Sequence, residues 1–252
     1  MKIHFIYTET KTYDMPNSQL GLESISAILK QNSHRVSLTH FWKNYSWEKL
    51  SADLAKNNPD LIGITTNSLE FPLIKKIARD IKKRFNLPIA VGGFHSTIDP
   101  EGVIEDKSID IVCIGEGEQA ILELLKKMES GQKIERIKNL WVRKNGKIYK
   151  NEVRNLIANL DELPFPDHSL FNYQWILDKN YGVAKIMASR GCPFNCGFCA
   201  NNILKKIYAN SGPFLRRKSI PYLIKEIKQA SKRYKFSSIE FTDDLFTLDK
   251  KW

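Results

Sequence analysis

The chain has 252 residues, enough for one complete domain, a connector and part of a second domain. Hydrophobic content of 42% and charged content of 27% suit a soluble globular protein, and no apolar run approaches the roughly 20 residues that cross a bilayer, so no transmembrane segment is expected. The net charge of +11 raises a nucleic-acid partner, but the lysine and arginine are not concentrated on one element: the richest helix-patterned segments, 75–84 and 225–235, interleave them with apolar positions as on solvated outer faces, and nucleic acid is not expected as a partner.

In chain order, residues 1–7 lack a small-residue cleavage site and read as the start of a buried strand, so secretion is not expected. Strands are predicted at 3–8, 35–41, 61–65, 89–92 and 109–114. Helices are predicted between and after them at 21–32, 47–57, 72–85 and 118–130. This alternation predicts an α/β domain over residues 1–130, a parallel sheet covered on both faces whose ligands bind beyond the carboxyl ends of its strands. Three loops there are rich in glycine and short polar residues: Thr65-Thr66-Asn67-Ser68, Gly92-Gly93-Phe94-His95-Ser96 and Gly115-Glu116-Gly117-Glu118. Such residues also serve simply to turn and cap, but three such loops on one sheet edge favour a ligand.

From 131 to 180 the alternation stops. Asn145-Gly146 between 140–143 and 147–150 predicts a tight hairpin, and the proline-broken segment 160–167 reads as a connector packed on both domains. From 181 a new unit begins: a strand over 181–189, a cysteine-rich loop, a helix over 219–234 and a strand over 238–242. Arg216-Arg217-Lys218, before that helix, is a compact basic cluster placed to contact an anionic group.

Three of the four cysteines fall in Arg190-Gly191-Cys192-Pro193-Phe194-Asn195-Cys196-Gly197-Phe198-Cys199, too tightly spaced for a disulfide framework; metal binding in a reducing compartment fits better. Three thiolates from one loop can grip three irons of a cubane cluster and leave the fourth iron open to a small chelating molecule. Zinc would require a fourth ligand, and no histidine follows Cys199. Cys113, within an apolar strand, reads as a buried free thiol.

The loop, with Arg190-Gly191 before it and Pro193 and Phe198 inside it, closely resembles the radical S-adenosylmethionine superfamily. The resemblance implies that Cys192, Cys196 and Cys199 bind a 4Fe-4S cluster, that Phe198 lies against the adenine of S-adenosylmethionine, and that residues 181–252 are the incomplete N-terminal part of a radical SAM (β/α) partial barrel. The strand running into Asp243-Asp244 resembles the second strand of that barrel, which would turn Asp243 or Asp244 to the cofactor; capping is the alternative for two such aspartates. Gly21, Thr66, Gly92-Gly93, Gly115-Glu116-Gly117-Glu118 and the 161–166 connector resemble the Rossmann-like cobalamin-binding domain fused to one branch of these enzymes, the methyltransferases and anaerobic cyclases. Asn67, Ser68 and His95 join them as candidate cobalamin-binding residues. The D-x-H-x-x-G element that supplies a histidine ligand to cobalt in many cobalamin proteins is absent.

The resemblance implies methyl transfer or related radical chemistry at an unactivated carbon, in an anaerobic or reducing cytoplasm, with an electron donor such as ferredoxin or flavodoxin and an unidentified small-molecule, peptide or lipid substrate. Two other readings stay open: a methylthiotransferase-like enzyme whose first domain recognises a substrate such as RNA, and a non-catalytic cofactor-binding fragment.

Overall fold

A computed structural model describes residues 1–11 and 14–252. The first part alternates strictly: β1 (Lys2–Glu9), α1 (Leu20–Gln31), β2 (Arg35–Trp42), α2 (Trp47–Asn57), β3 (Leu61–Thr65), α3 (Phe71–Phe85), β4 (Ile89–Gly92), two short helices α4 (Phe94–Ile98) and α5 (Pro100–Glu105), β5 (Ile111–Cys113) and α6 (Glu118–Glu129). A hairpin, β6 (Leu140–Lys144) and β7 (Lys147–Lys150), follows, turning through Asn145 and Gly146, both at positive φ as a two-residue hairpin turn demands.

The sheet order is β2-β1-β3-β4-β5-β6-β7, the first five strands parallel and the last two antiparallel. Successive strand residues alternate between faces. Ile62, Ile64, Ile89 and Val91 pack with Leu50 and Leu54 of α2 and Ile74 and Ile77 of α3, whereas Leu61 and Ala90 pack with Leu22 and Leu29 of α1 and Ala120 and Leu124 of α6. The hairpin, expected in the connector, joins this sheet because Leu140 and Val142 bury their side chains in the α1–α6 core while β6 pairs with β5. The strand expected over 109–114 is shorter: the Asp110 carboxylate accepts from the Ile89 backbone N–H (2.7 Å) and Lys82 (2.6 Å).

The remaining elements are α7 (Tyr173–Lys179), β8 (Val183–Ile186), β9 (Ser189–Arg190), α8 (Asn201–Ile207), β10 (Arg216–Arg217), α9 (Ile220–Arg233) and β11 (Ser238–Phe241). The strand expected over 181–189 is thus broken in two. β8 pairs in parallel with β11, and β9 turns aside to pair antiparallel with β10. Asp243 makes that break: its carboxylate accepts from the Ala188 N–H (3.1 Å) and the Ser189 hydroxyl, holding the chain where it leaves β8.

Candidate cofactor site

The parallel strands β1 and β3 leave a common point in opposite winding directions, and at such a switch point the carboxyl edge of a sheet opens into a crevice. A cavity of about 420 Å³ lies there. Its floor is the sheet edge: Thr65 at the end of β3, Gly92 and Gly93 after β4, Cys113 at the end of β5 and the Gly115–Glu118 turn. Its opposite wall comes from the later chain, with Leu160 and Pro164 of the connector and Arg190, Gly191, Tyr208 and Asp244 of the cysteine-bearing unit.

Of the residues singled out in sequence, Gly21, Gly92, Gly93, Gly115, Glu116, Gly117, Glu118 and Asp244 line this cavity. Thr66, Asn67, Ser68 and His95 are absent from its lining, each with a local task. The Thr66 hydroxyl donates to the Asn67 carbonyl, Asn67 Oδ1 accepts from the Leu69 and Glu70 N–H groups at the start of α3, and the Ser68 hydroxyl lies 3.0 Å from His95 Nδ1. The His95 ring packs on Phe71, and burial outweighs the opposing pull of Asp99, with Lys75 adding a little, and holds its pKa below the ordinary value. Among the described residues no histidine lines the cavity.

The Gly115–Glu118 turn is the electrostatic centre. Glu116 Oε1 accepts from Arg190 Nη1 and Arg216 Nη1, both at 2.8 Å, while its Oε2 accepts from the Ile157 N–H at 3.0 Å. Glu118 Oε1 accepts from Arg190 Nη2 (2.6 Å) and the Ser24 hydroxyl (2.8 Å). Burial pushes the Glu118 carboxyl up, but Arg190 and the hydrogen bonds it receives outweigh that and leave it below its ordinary value. The carboxylates of both glutamates are thereby committed to arginines of the second unit. The compact basic cluster is likewise neutralised from within the chain, since Arg216 meets Glu116, Arg217 meets Asp249 (3.2 Å) and Lys218 meets Glu226 (2.6 Å).

Tyr208, at the end of α8, is the cavity residue that sequence reasoning missed. Its buried hydroxyl oxygen accepts from the Glu116 N–H at 2.9 Å and lies against Gly115, where a Cβ would overlap it. Gly115 also sits at φ +72°, so the turn needs glycine on two counts. A tyrosine at the end of a short basic helix carries no sequence signal of such a partner. Thr97, also missed, caps the same turn by accepting from the Gly115 N–H at 2.9 Å.

The cysteine loop borders the cavity. Gly191, at φ +86°, admits the Phe214 carbonyl where a Cβ would sit, and so bends the chain out of β9 into the loop. Cys196 is exposed and Cys192 and Cys199 are half-buried, with the Cys199 N–H donating to the Cys196 carbonyl at 3.0 Å. Among the described residues no three His, Cys, Asp or Glu side chains stand together as a preformed metal site. The donor set nevertheless suits an iron-sulfur cluster: three free thiols on one accessible turn, with no imidazole or carboxylate inside it. Phe198 is 96% exposed. Of the paired aspartates, Asp244 accepts from Asn201 Nδ2 (3.1 Å) and faces the cavity, and Asp243 is the clamp on β8 described above. Cys113 is buried and free, its thiol pushed up to about 12 first by burial and then by Glu118.

Behind the cavity a second polar cluster joins α1, the connector and α9. His168 Nδ1 stands 3.1 Å from Glu23 Oε1, close enough for attraction between charges though not aligned as a hydrogen bond. Its ring stacks on Tyr173 at 4.2 Å. Burial works against the imidazolium, yet Glu23, then Glu226 and Asp167, raise the His168 pKa above its ordinary value.

Residues 10–125 match the B12 binding domain family. An uncharacterized methyltransferase of Pyrococcus horikoshii is 31% identical over 236 residues, covering 92% of this chain and 50% of that protein. The cobalamin-dependent S-adenosylmethionine radical enzyme OxsB, solved with aqua-cobalamin and S-adenosylmethionine bound, superposes with a TM-score of 0.76 at 21% identity over 97% of this chain and 34% of its own. The radical S-adenosylmethionine methyltransferase TsrM of Kitasatospora setae, solved with tryptophan and a SAM analogue, gives 0.73 at 15% identity, over 98% of this chain and 48% of its own. The resemblance read from the cysteine loop and the glycine-rich turns is borne out, as is the α/β fold. The chain spans about half the length of the first curated relatives it matches. No helix among the described residues is long and apolar enough to cross a membrane.

Proposed function

We propose that the chain belongs to a cobalamin-dependent radical S-adenosylmethionine enzyme, with a corrinoid over the carboxyl edge of the sheet and a 4Fe-4S cluster on Cys192, Cys196 and Cys199. One observation carries the reading: the B12-binding sheet edge and the root of the cysteine loop are two walls of a single cavity, so groups held by each would face one another. When bound, the cluster supplies one electron to S-adenosylmethionine and the corrinoid carries the methyl group for transfer or assists a related radical reaction.

The protein's own residues have definable parts. Gly92, Gly93, Gly115 and Gly117 give a floor on which a flat macrocycle can lie close to the backbone, and the Leu160 and Pro164 side keeps water from its edge. Among the described residues no histidine lines the cavity, so its walls would offer a corrinoid backbone and apolar contacts rather than an imidazole. Asp244, at the end of β11, and the exposed Phe198 are the residues for the amino and adenine ends of S-adenosylmethionine. The substrate is a small molecule, peptide or lipid with an unactivated carbon, and a ferredoxin or flavodoxin in a reducing cytoplasm is the electron source.

Oxygen-free reconstitution with iron, sulfide and hydroxocobalamin, followed by absorption spectroscopy and metal analysis, tests this. A corrin band and a cluster shoulder on the same chain are expected. One zinc and no iron would end the cluster assignment. A cluster without corrinoid would favour the methylthiotransferase-like reading, and both groups without cleavage of added S-adenosylmethionine would mark a binding fragment.

A further inference from the structure

Helix α8 begins two residues after Cys199 and folds back over the loop it has just left. Lys205 Nζ donates to the Phe194 carbonyl at 2.7 Å and to Asn195 Oδ1 at 2.8 Å, two acceptors that lie between Cys192 and Cys196. Asn202 Nδ2 donates to the Cys196 carbonyl at 2.7 Å. Among the described residues the Lys205 ammonium forms no ion pair with a carboxylate; its other neighbour is the Phe214 ring, at 5.9 Å. In a chain where Arg190, Arg216, Arg217 and Lys218 are all paired with carboxylates, this half-buried cation makes its hydrogen bonds to the cysteine loop.

We propose that Lys205 is a positioning residue for the cysteine loop, fixing the Cys192–Cys196 arc and setting on that arc a positive charge that favours the reduced cluster. The inference rests on the iron-sulfur reading above. The two bonds restrict the arc through its main chain and through Asn195, so the first two thiols are presented by a braced turn rather than a free one. A cluster bound by three thiolates gains a further negative charge on one-electron reduction, and a fixed cation nearby stabilises the more negative state.

The test uses the full chain reconstituted without oxygen, as wild type, Lys205→Met, Lys205→Arg and Asn195→Ala. Bound iron, its retention against a chelator, and the midpoint potential from a redox titration followed by electron paramagnetic resonance are the readouts. Lys205→Met is expected to hold iron about tenfold less tightly, as loss of charged hydrogen bonds implies, and to shift the midpoint to lower potential. Lys205→Arg is expected to restore the midpoint. Asn195→Ala keeps the cation, so it should weaken iron retention without moving the potential, and it serves if Lys205→Met does not fold. Wild-type iron retention and midpoint in Lys205→Met, or wild-type retention in Asn195→Ala, would overturn the proposal. A wild-type chain that takes up no iron overturns the reading beneath it, a distinct result.

Discussion

Arg190 Nη2 and Glu118 Oε1 stand 2.6 Å apart, joining the residue two positions before Cys192 to the first residue of α6, the last helix on the parallel sheet. Both side chains are largely withdrawn from water, so cutting the pair leaves a buried charge without its counterpart. Arg190→Met is expected to destabilise the chain by about 3–5 kcal/mol, read from chemical denaturation. The pair also sets an acid limb. Because the folded Glu118 pKa is depressed, its contribution is present above the ordinary glutamate value and is lost as pH falls through the folded value. Glu118→Gln should flatten that part of the stability curve.

His168 works in the opposite direction. Its folded pKa is raised, so its contribution is complete below the ordinary value of 6.5 and is lost as pH rises through the folded value. The groups facing it are Glu23 from α1, Glu226 from α9, Asp167 beside it, and the Tyr173 and Tyr234 rings. Glu226, raised chiefly by burial and paired with Lys218, has its own window, which begins at the ordinary glutamate value, below that of His168. Wild-type unfolding free energy is expected to decline as pH rises above 6.5, and His168→Asn to show a shallower decline over the same range.

Thiol chemistry separates the four cysteines. The three on the loop are exposed or half-buried, while Cys113 is enclosed and its thiol is held up at about 12. Before any metal is added, an aromatic disulfide reagent should titrate three thiols in the native chain and four after denaturation. Two fast thiols, or four, would contradict the arrangement.

Gly115→Ala should be costly for two separable reasons. Positive φ strains any residue with a Cβ, at about 1–3 kcal/mol, and the added methyl meets the Tyr208 hydroxyl. Combining it with Tyr208→Ala relieves the overlap but not the backbone strain, so the two changes should be less than additive in thermal denaturation.

Strand and helix periodicity made the sheet legible because every apolar alternation in residues 1–130 answers to one of two cores. Glycine turns located its carboxyl edge, and cysteine spacing marked the loop that borders the cavity. What sequence could not show is who meets whom across 70 or more positions. Glu116 and Glu118 are acids beside glycines until Arg190 and Arg216 arrive from the later chain. His95, next to paired glycines, reads as a ligand candidate, yet Phe71 and Ser68 hold it away from the crevice. α8 went unpredicted because its seven residues are too few for periodicity to register, although Asn202, Lys205 and Tyr208 all act from it or its end.

The crevice has no owner: one bank is the sheet edge, the other the connector and the loop-bearing unit. Whatever fills it acts as mortar, adding RT ln(1 + [L]/Kd) to the cohesion of the two halves as well as to its own retention. Saturating corrinoid should therefore raise the melting temperature of both halves together, and a chain emptied of it should come apart first along this seam.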